Sequence, residues 1–482
     1  MFWRGLLGYL PANVAQGLVG LFSIIVFTRL LSPEQYGAYA LGFSAMSLAH
    51  TAVFVWSEAA MARFHARAAE QGHLPDHFAT LYRLWFALAL GFPVVGGLLV
   101  WLLPISGPIK WAVGAGLAVI MVRSLAKLAQ ERRRAAGDVR GAALIDITQT
   151  VGGFAIGVVL VLSGAGGAGP LLGLGAIAAV CLTWTLRSEL SAAKGGHFDR
   201  KLARTYAGYG LPVALSLILA LVIASTDRFL LAGFLGEKAV GVYHAGYTLA
   251  NRTLDVVFIW LGMAGGPAMV LALERGGTKA LNEAAKEQAS LMLLLCVPAA
   301  AGLALVARPL CELMIGPALS QQAGEVTPWI AFAALFGGLT TYYLHQAFTL
   351  GRRTTLLFAA MIAPAAANLA LNLVLIPKFG IAGAMWSTAA SYAIGAVASY
   401  ALGRRAMPLP IPWDTLGRVV LATGIMAVVI LRLPSPGGVP ELILKALAGI
   451  LVYGAGVIAL DAGGVRTRAG QLVRFLKPGA AS

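Results

Sequence analysis

The sequence contains fourteen apolar stretches that are long enough to cross a lipid bilayer, which takes about 20 residues of helix. Of all residues 59% are hydrophobic and only 12% are charged, whereas an ordinary soluble domain carries roughly 25% charged residues. A soluble enzyme is therefore excluded, and the sequence predicts an all-α membrane protein with fourteen transmembrane helices. The stretches are 6–30, 37–61, 81–103, 111–129, 141–162, 170–186, 209–234, 240–273, 289–307, 328–350, 354–376, 380–402, 416–433 and 442–460.

An internal repeat organises these stretches. Residues 31–43 and 235–247 align without a gap at an offset of 204 residues, and they share a leucine, a glycine, a tyrosine and a second glycine in the same order. In the first copy Ser32 and Gln35 have the spacing of a capping box at a helix start. Because both copies run in the same direction, we expect two six-helix lobes related by an axis along the membrane normal, followed by two further helices.

The repeat and the composition between stretches predict the domain boundaries. The lobes are 1–187 and 208–403, joined by a cytoplasmic amphipathic linker at 188–207 that we expect to form a short basic surface helix. A proline-rich linker at 404–414 precedes the last two transmembrane helices at 415–461. A cytoplasmic tail at 462–482 contains a second expected surface helix over 465–477.

Lysine and arginine are distributed unevenly between the two sides of the predicted membrane. Of 36 such residues, 27 lie in the loops on the side of the N-terminus or in the parts of the stretches next to them, six lie likewise on the other side, and the remaining three are Arg228, Arg252 and Lys445 inside the stretches. Cytoplasmic loops are enriched in these residues, so both termini are predicted to be cytoplasmic. The first stretch lacks a small-residue cleavage site, which predicts an uncleaved first helix. The same loops explain the net charge of +16, so no nucleic-acid partner is expected.

Ionisable residues inside the stretches are the candidate functional groups, because charge within a membrane is rare unless it has a role. Arg252 lies about 18 Å from the outer end of the eighth stretch at 1.5 Å per residue, and Asp255 follows one turn later on the same face. One interpretation is an internal Arg–Asp pair that only stabilises the helix. The other is a cation that holds an anionic substrate and is tuned by its neighbouring carboxylate.

Further candidates lie in the first lobe and at the outer helix ends. Arg123 lies in the fourth stretch, and Lys127, one turn later, is expected to reach the surface or to pair with Glu131. The remaining candidate substrate-binding residues are Arg29, Asp227 and Arg228. No catalytic, metal-binding or nucleotide-binding motif is present, so the sequence predicts no enzyme activity, no metal and no cofactor.

Three segments carry a resemblance to a known family: FTRLLSPEQYGAY at 27–39, DRFLLAG at 227–233 and NLALNLVLIPKFGIAGA at 368–384. The chain resembles the Wzx-type O-antigen and exopolysaccharide flippases, which belong to the multidrug/oligosaccharidyl-lipid/polysaccharide exporter superfamily. The resemblance implies two lobes around a central cavity and transport by alternating access. It also implies a polyprenyl-diphosphate-linked oligosaccharide as substrate, moved to the periplasmic leaflet of the bacterial inner membrane. Cationic cavities are typical of the family, which fits Arg252, Arg29 and Arg123.

The expected partners follow from that resemblance. They are the lipid-linked oligosaccharide and membrane lipids, with glycan polymerase and glycosyltransferase machinery as further candidates, and the chain is expected to act as a monomer. Four other functions remain open on sequence grounds: an ion-coupled drug or cation antiporter of the same superfamily, a lipid II flippase, a membrane-embedded glycan polymerase or ligase, and a passive structural subunit of a glycan-assembly complex.

Overall fold

The computed structural model describes residues 2–102 and 105–466, with the side chains of 2–10, 13 and 354 excepted, and it is helical throughout these ranges with no β-strand. The helices are α1 Phe2–Leu30, α2 Pro33–Val53, α3 Val55–Glu70, α4 Leu74–Leu102, α5 Gly107–Ala135, α6 Val139–Ile147, α7 Gly153–Leu160, α8 Gly169–Ala192, α9 Arg200–Leu235, α10 Glu237–Leu305, α11 Ala307–Met314, α12 Pro317–Leu339, α13 Gln346–Leu350, α14 Thr354–Phe379, α15 Ile381–Ala406, α16 Trp413–Arg432 and α17 Gly438–Leu460.

Nine helical segments of the described ranges are long and apolar enough to cross a membrane, and α2 with α3, bent by 47°, make a tenth. The 54-residue segment bends back at Gly164, after which α8 packs against α7, and the 69-residue segment bends back at Gly277. When the two arms of each of these segments, α1 and the α12–α13 pair are counted separately, the described residues contain fourteen long helical segments. The all-α fold predicted from the sequence is confirmed.

The reversal inside α10 occurs at Gly277, whose φ of 64° lies in the left-handed region that favours glycine. On either side of this residue the helix packs against itself. The Gln288 side chain donates to the Leu261 carbonyl at 3.0 Å, and a Cβ on Gly265 would overlap Gln288. The predicted eighth and ninth stretches therefore form an antiparallel hairpin.

The chain divides into two compact units, the first ending at His244 and the second beginning at Ala245. In the first unit α9 packs against α2, α3 and α4. The seventh stretch thus belongs to the first compact unit, although the repeat assigns it to the second lobe. The lobe boundaries taken from the repeat stay a prediction.

The two repeat copies meet inside the first unit. A Cβ on Gly37 would overlap the Glu237 carbonyl oxygen, and a Cβ on Gly241 would overlap the Pro33 carbonyl oxygen. Pro33 and Glu237 are themselves separated by the repeat offset, so the contact is reciprocal. The predicted capping box is confirmed at the start of α2, where the Gln35 backbone N–H donates to Ser32 Oγ at 3.2 Å and the Ser32 backbone N–H to Gln35 Oε1 at 3.1 Å.

Replacing Gly37 by alanine is expected to destabilise the protein, because the added methyl group would force two helix backbones apart. Overpacking of this kind costs about 1–3 kcal/mol. Gly233→Ala is the matched control, since nothing lies within 4 Å of a Cβ at that position. Thermal unfolding of the purified proteins should show a lower midpoint for Gly37→Ala only. Equal midpoints for the two variants would contradict the close contact.

The linker between the predicted lobes differs from the sequence expectation. The short surface helix expected over 188–207 is replaced by the last turns of α8, a turn, and the first turns of α9. Asp199 caps α9 by accepting from the Lys201 and Leu202 backbone N–H groups at 2.6 and 3.3 Å. Leu202 and Tyr206, part of the apolar stripe, pack in the protein core rather than on a lipid surface. The surface helix expected over 465–477 lies almost entirely outside the described residues.

Candidate functional site

The second unit carries an unpaired cation within α10. Arg252 lies 15 residues after Glu237, which is about 22 Å along the helix. Its side chain is exposed and Asp255 is half-buried. Among the described residues, no ion pair within 4.0 Å joins them to each other or to any other group. The internal Arg–Asp pair, one of the two sequence interpretations, is therefore not formed in this structure.

An unpaired arginine and an unpaired carboxylate in a membrane span are unfavourable against lipid. Such residues almost always face a water-filled path or the interior of the helix bundle. An exposed guanidinium in that setting keeps its planar set of donors free for a ligand. A guanidinium of this kind is chemically suited to an anion, and the role of Arg252 and Asp255 toward substrate stays a prediction.

One to two turns further along α10, the ring of Phe258 contacts an aromatic ring from another segment of the second unit. Phe258 stacks on Tyr342, which belongs to a π-helical turn over Thr340–Leu344, with ring centroids 5.9 Å apart and planes at 9°. A Cβ on Gly338 would overlap the Phe258 ring, and a Cβ on Gly262 would overlap Tyr342. Each ring thus occupies the space left by a glycine of the other helix, and the pair fixes α10 against α12.

The first unit also holds a cation without a carboxylate partner. Arg123 is half-buried in α5, and its Nη1 lies 3.9 Å from Met46 Sδ. No carboxylate lies within 4.0 Å of its guanidinium in the part of the chain that the structure describes. Glu58 acts on Arg123 electrostatically, but its Oε1 lies 2.9 Å from His50 Nε2 instead. Arg123 therefore keeps a positive charge inside the span.

The Asp146 carboxylate, also in the first unit, contacts three polar or charged side chains. It accepts from Gln16 Nε2 at 2.6 Å and lies 3.4 Å from Lys127 Nζ and 3.7 Å from Arg134 Nη2. Lys127 therefore pairs with Asp146, and the alternative pairing with Glu131 expected from the sequence is wrong. Glu131 pairs with Arg134 at 2.9 Å. This cluster ties α1, α5 and α6 together.

Asp227 and Arg228 are buried, with exposed fractions of 0% and 5%. Tyr243 Oη donates to Asp227 Oδ2 at 2.5 Å, and Arg228 Nε donates to His244 Nδ1 at 3.1 Å. The structure therefore brings these two candidates together in a network that holds α9 to the start of α10. Their predicted role as substrate contacts stays a prediction.

Arg29 lies in the last turn of α1, where its side chain is exposed. Its Nη1 donates to the Ile25 carbonyl of its own helix at 2.8 Å. A cation in the last turn of a helix interacts favourably with the helix dipole. The role of Arg29 toward substrate stays a prediction.

Sequence reasoning missed Tyr342 and Phe258. The sequence does contain a signal for them, because in each of two segments an aromatic residue and a glycine are four residues apart. The pairs are Phe258 with Gly262 and Tyr342 with Gly338. In the described ranges no group of three or more His, Cys, Asp or Glu side chains could hold a metal ion.

The fold is one that membrane transporters of known structure share. The structure resembles the lipid II flippase MurJ in an inward closed conformation, with a TM-score of 0.77, 16% identity, and coverage of 94% of this chain and 98% of that one. It also resembles an inward-facing multidrug resistance MATE family transporter of the MOP superfamily, with a TM-score of 0.66, 15% identity, and coverage of 81% and 94%. At these identities the likeness shows the fold alone.

The family follows from the sequence. Residues 26–321 match the family described as polysaccharide biosynthesis protein, and the chain belongs to that family. It is 36% identical over 110 residues to the "Probable flippase AglR" of Haloferax volcanii, which is 22% of this chain and 23% of that protein. It is 27% identical over 203 residues to an uncharacterized membrane protein, MJ1068, of Methanocaldococcus jannaschii, which is 41% of this chain and 38% of that protein. The matched segments thus span well under half of these curated relatives.

Proposed function

We propose that the protein is a flippase that moves a polyprenyl-diphosphate-linked oligosaccharide from the cytoplasmic to the periplasmic leaflet by alternating access. The observation that carries the proposal is the exposed guanidinium of Arg252, which lies inside a membrane span and has no ion pair among the described residues. A diphosphate entering a region of low dielectric requires fixed positive charge. Arginine supplies that charge with a bidentate hydrogen-bonding geometry that matches phosphate oxygens.

Arg123 supports the same chemistry in the first unit. It is half-buried, positively charged and without a carboxylate within 4.0 Å among the described residues. We propose it as a separate contact for an anion within the first unit. The family membership and the relative named as a flippase favour transport over catalysis.

The unpaired carboxylate of Asp255 favours one alternative, an antiporter of cationic drugs, which the likeness to a MATE transporter makes reasonable. An acidic group in a transport path attracts cations. The two functions separate in one assay, because an antiporter would export a cationic dye from cells. Dye export that requires Asp255 but not Arg252 would favour the antiporter.

We also propose that both termini lie in the cytoplasm, as the distribution of lysine and arginine predicts. Reporter fusions after Gly166 and after Gly195 should therefore report the periplasm and the cytoplasm respectively. Gly166 lies in the turn between α7 and α8, and Gly195 lies in the turn between α8 and α9. The reverse pattern, or the same side for both fusions, would contradict this topology.

Deleting the gene tests the function in cells. We expect the lipid-linked oligosaccharide to be fully synthesised but to remain on the cytoplasmic face, because only its translocation is lost. Extraction of the lipid-linked pool, together with the accessibility of its glycan to a lectin or a glycosidase added outside the cells, would measure this. A normal distribution of glycan on the outer face would count against the proposed role.

A further inference from the structure

Two polar side chains near Arg252 have no part in the proposed diphosphate contact. Asp255 is half-buried and has no ion pair within 4.0 Å among the described residues. Tyr342 is also half-buried, and its hydroxyl group has no hydrogen-bond partner in that part of the chain. Asp255 lies three residues before Phe258 on α10, and the Phe258 ring stacks on Tyr342 with centroids 5.9 Å apart, so that the Asp255 carboxylate also acts electrostatically on Arg252 and Tyr342. The three side chains therefore form one continuous region of the second unit.

The tyrosine in this region is held rigidly. Its ring is stacked on Phe258 at 5.9 Å and fills the space above Gly262, while Phe258, itself almost fully buried, fills the space above Gly338. A hydroxyl group on a ring fixed in this way loses little conformational entropy when it binds a ligand. Packing alone does not require the hydroxyl, because the stacked ring of a phenylalanine would fill the same space.

The chemistry of the pair is suited to a sugar. A carboxylate accepts hydrogen bonds from hydroxyl groups, and a tyrosine hydroxyl both donates and accepts them. An uncharged sugar offers several hydroxyl groups and no charge. An acidic sugar would bring a second carboxylate beside Asp255, and like charges repel at short range in a region of low dielectric.

We propose that Asp255 and Tyr342 form a saccharide subsite beside Arg252 that selects an uncharged sugar as the one bonded directly to the diphosphate. The inference rests on the proposed function, because it takes Arg252 as the diphosphate contact. Asp255 follows Arg252 by one helical turn, about 4.5 Å along the axis. The sugar attached to a diphosphate bound at Arg252 is therefore within reach of the carboxylate.

Binding of three lipids to the purified full-length protein in detergent tests the subsite. The probes are a bare polyprenyl diphosphate, the same lipid carrying one N-acetylhexosamine, and the same lipid carrying one hexuronic acid. We expect the wild-type protein to bind the N-acetylhexosamine lipid tightest. Tyr342→Phe should weaken its binding about 2- to 10-fold, which is the range for one neutral hydrogen bond. Asp255→Asn should reduce the preference for the uncharged over the acidic sugar by about tenfold or more.

Tyr343→Phe is the matched control. Tyr343 is the next residue in the same turn, but its hydroxyl donates to the Pro410 carbonyl at 2.5 Å. We expect this variant to lower the thermal midpoint without changing the order of affinities, whereas Tyr342→Phe should leave the midpoint unchanged. Unchanged affinities and an unchanged sugar preference in Tyr342→Phe and Asp255→Asn would overturn the subsite.

The bare lipid separates this inference from the proposed function. If Arg252→Ala weakens binding of bare polyprenyl diphosphate while the Asp255 and Tyr342 variants keep the wild-type sugar preference, only the subsite is wrong. If Arg252→Ala binds the bare lipid as tightly as the wild type, Arg252 does not bind the diphosphate. The saccharide subsite, which is defined relative to Arg252, is then also wrong.

Discussion

Replacing Arg252 by alanine is expected to lower transport of the lipid-linked oligosaccharide at least about 100-fold while membrane abundance stays near normal. A hydrogen bond to a charged group contributes about 1.5–3 kcal/mol, and a bidentate contact to a diphosphate contains two of them. Each 1.4 kcal/mol corresponds to a factor of ten. Because Arg252 is exposed and has no ion pair among the described residues, its removal leaves no buried partner uncompensated. Transport in inverted membrane vesicles measures the effect.

Two further variants make this result specific. Arg252→Lys should restore part of the transport, because lysine keeps the positive charge but lacks the planar fork of donors. Arg308→Ala is the matched control, since Arg308 is an exposed arginine paired with Glu312 at 3.2 Å, and its loss should leave transport unchanged. Wild-type transport by Arg252→Ala would show that the residue is peripheral to the substrate path.

Replacing Asp227 by alanine is expected to destabilise the whole first unit, whereas replacing Arg252 by alanine is expected to leave the fold intact. Asp227 is fully buried, accepts from Tyr243 at 2.5 Å and lies 3.9 Å from the Arg228 guanidinium. Removing one member of a buried charged pair leaves the other uncompensated, which costs about 3–5 kcal/mol. We expect a low yield and a strongly reduced thermal midpoint in detergent.

A second variant, Asp227→Asn, distinguishes a structural role of this residue from a role in binding the substrate. Asp227→Asn keeps the shape and one acceptor oxygen, so it should be less destabilised than Asp227→Ala and should retain transport in proportion to the folded protein. Loss of transport in Asp227→Asn with a normal thermal midpoint would instead support the substrate contact predicted from the sequence.

The sequence was sufficient for the helices, because a membrane-spanning helix depends on local composition. A span of about 20 apolar residues can be recognised without knowing its neighbours. The linker at 188–207 was misread because an apolar stripe on a basic helix is the same whether it faces lipid or protein. In the structure Tyr206 of that stripe packs against His77, whose Nδ1 lies 2.5 Å from its hydroxyl oxygen.

The candidate site was predictable only in part, for a related reason. Arg252 could be found from its depth in a single helix. The pairing of Lys127 with Asp146 could not, because Asp146 belongs to the next helix and also accepts from Gln16, 130 residues away. Tyr342 was missed because its position beside Gly262 depends on how α10 and α12 pack.

The most direct test of the central claim is reconstitution of the purified protein in liposomes with a fluorescent polyprenyl-diphosphate glycan. Chemical quenching of the outer leaflet then reports how fast the label changes leaflet. The account predicts exchange well above protein-free vesicles and loss of that exchange with Arg252→Ala. Exchange no faster than in protein-free vesicles, with or without an imposed membrane potential or ion gradient, would contradict a flippase, and glycan chains that lengthen without leaflet exchange would favour a polymerase.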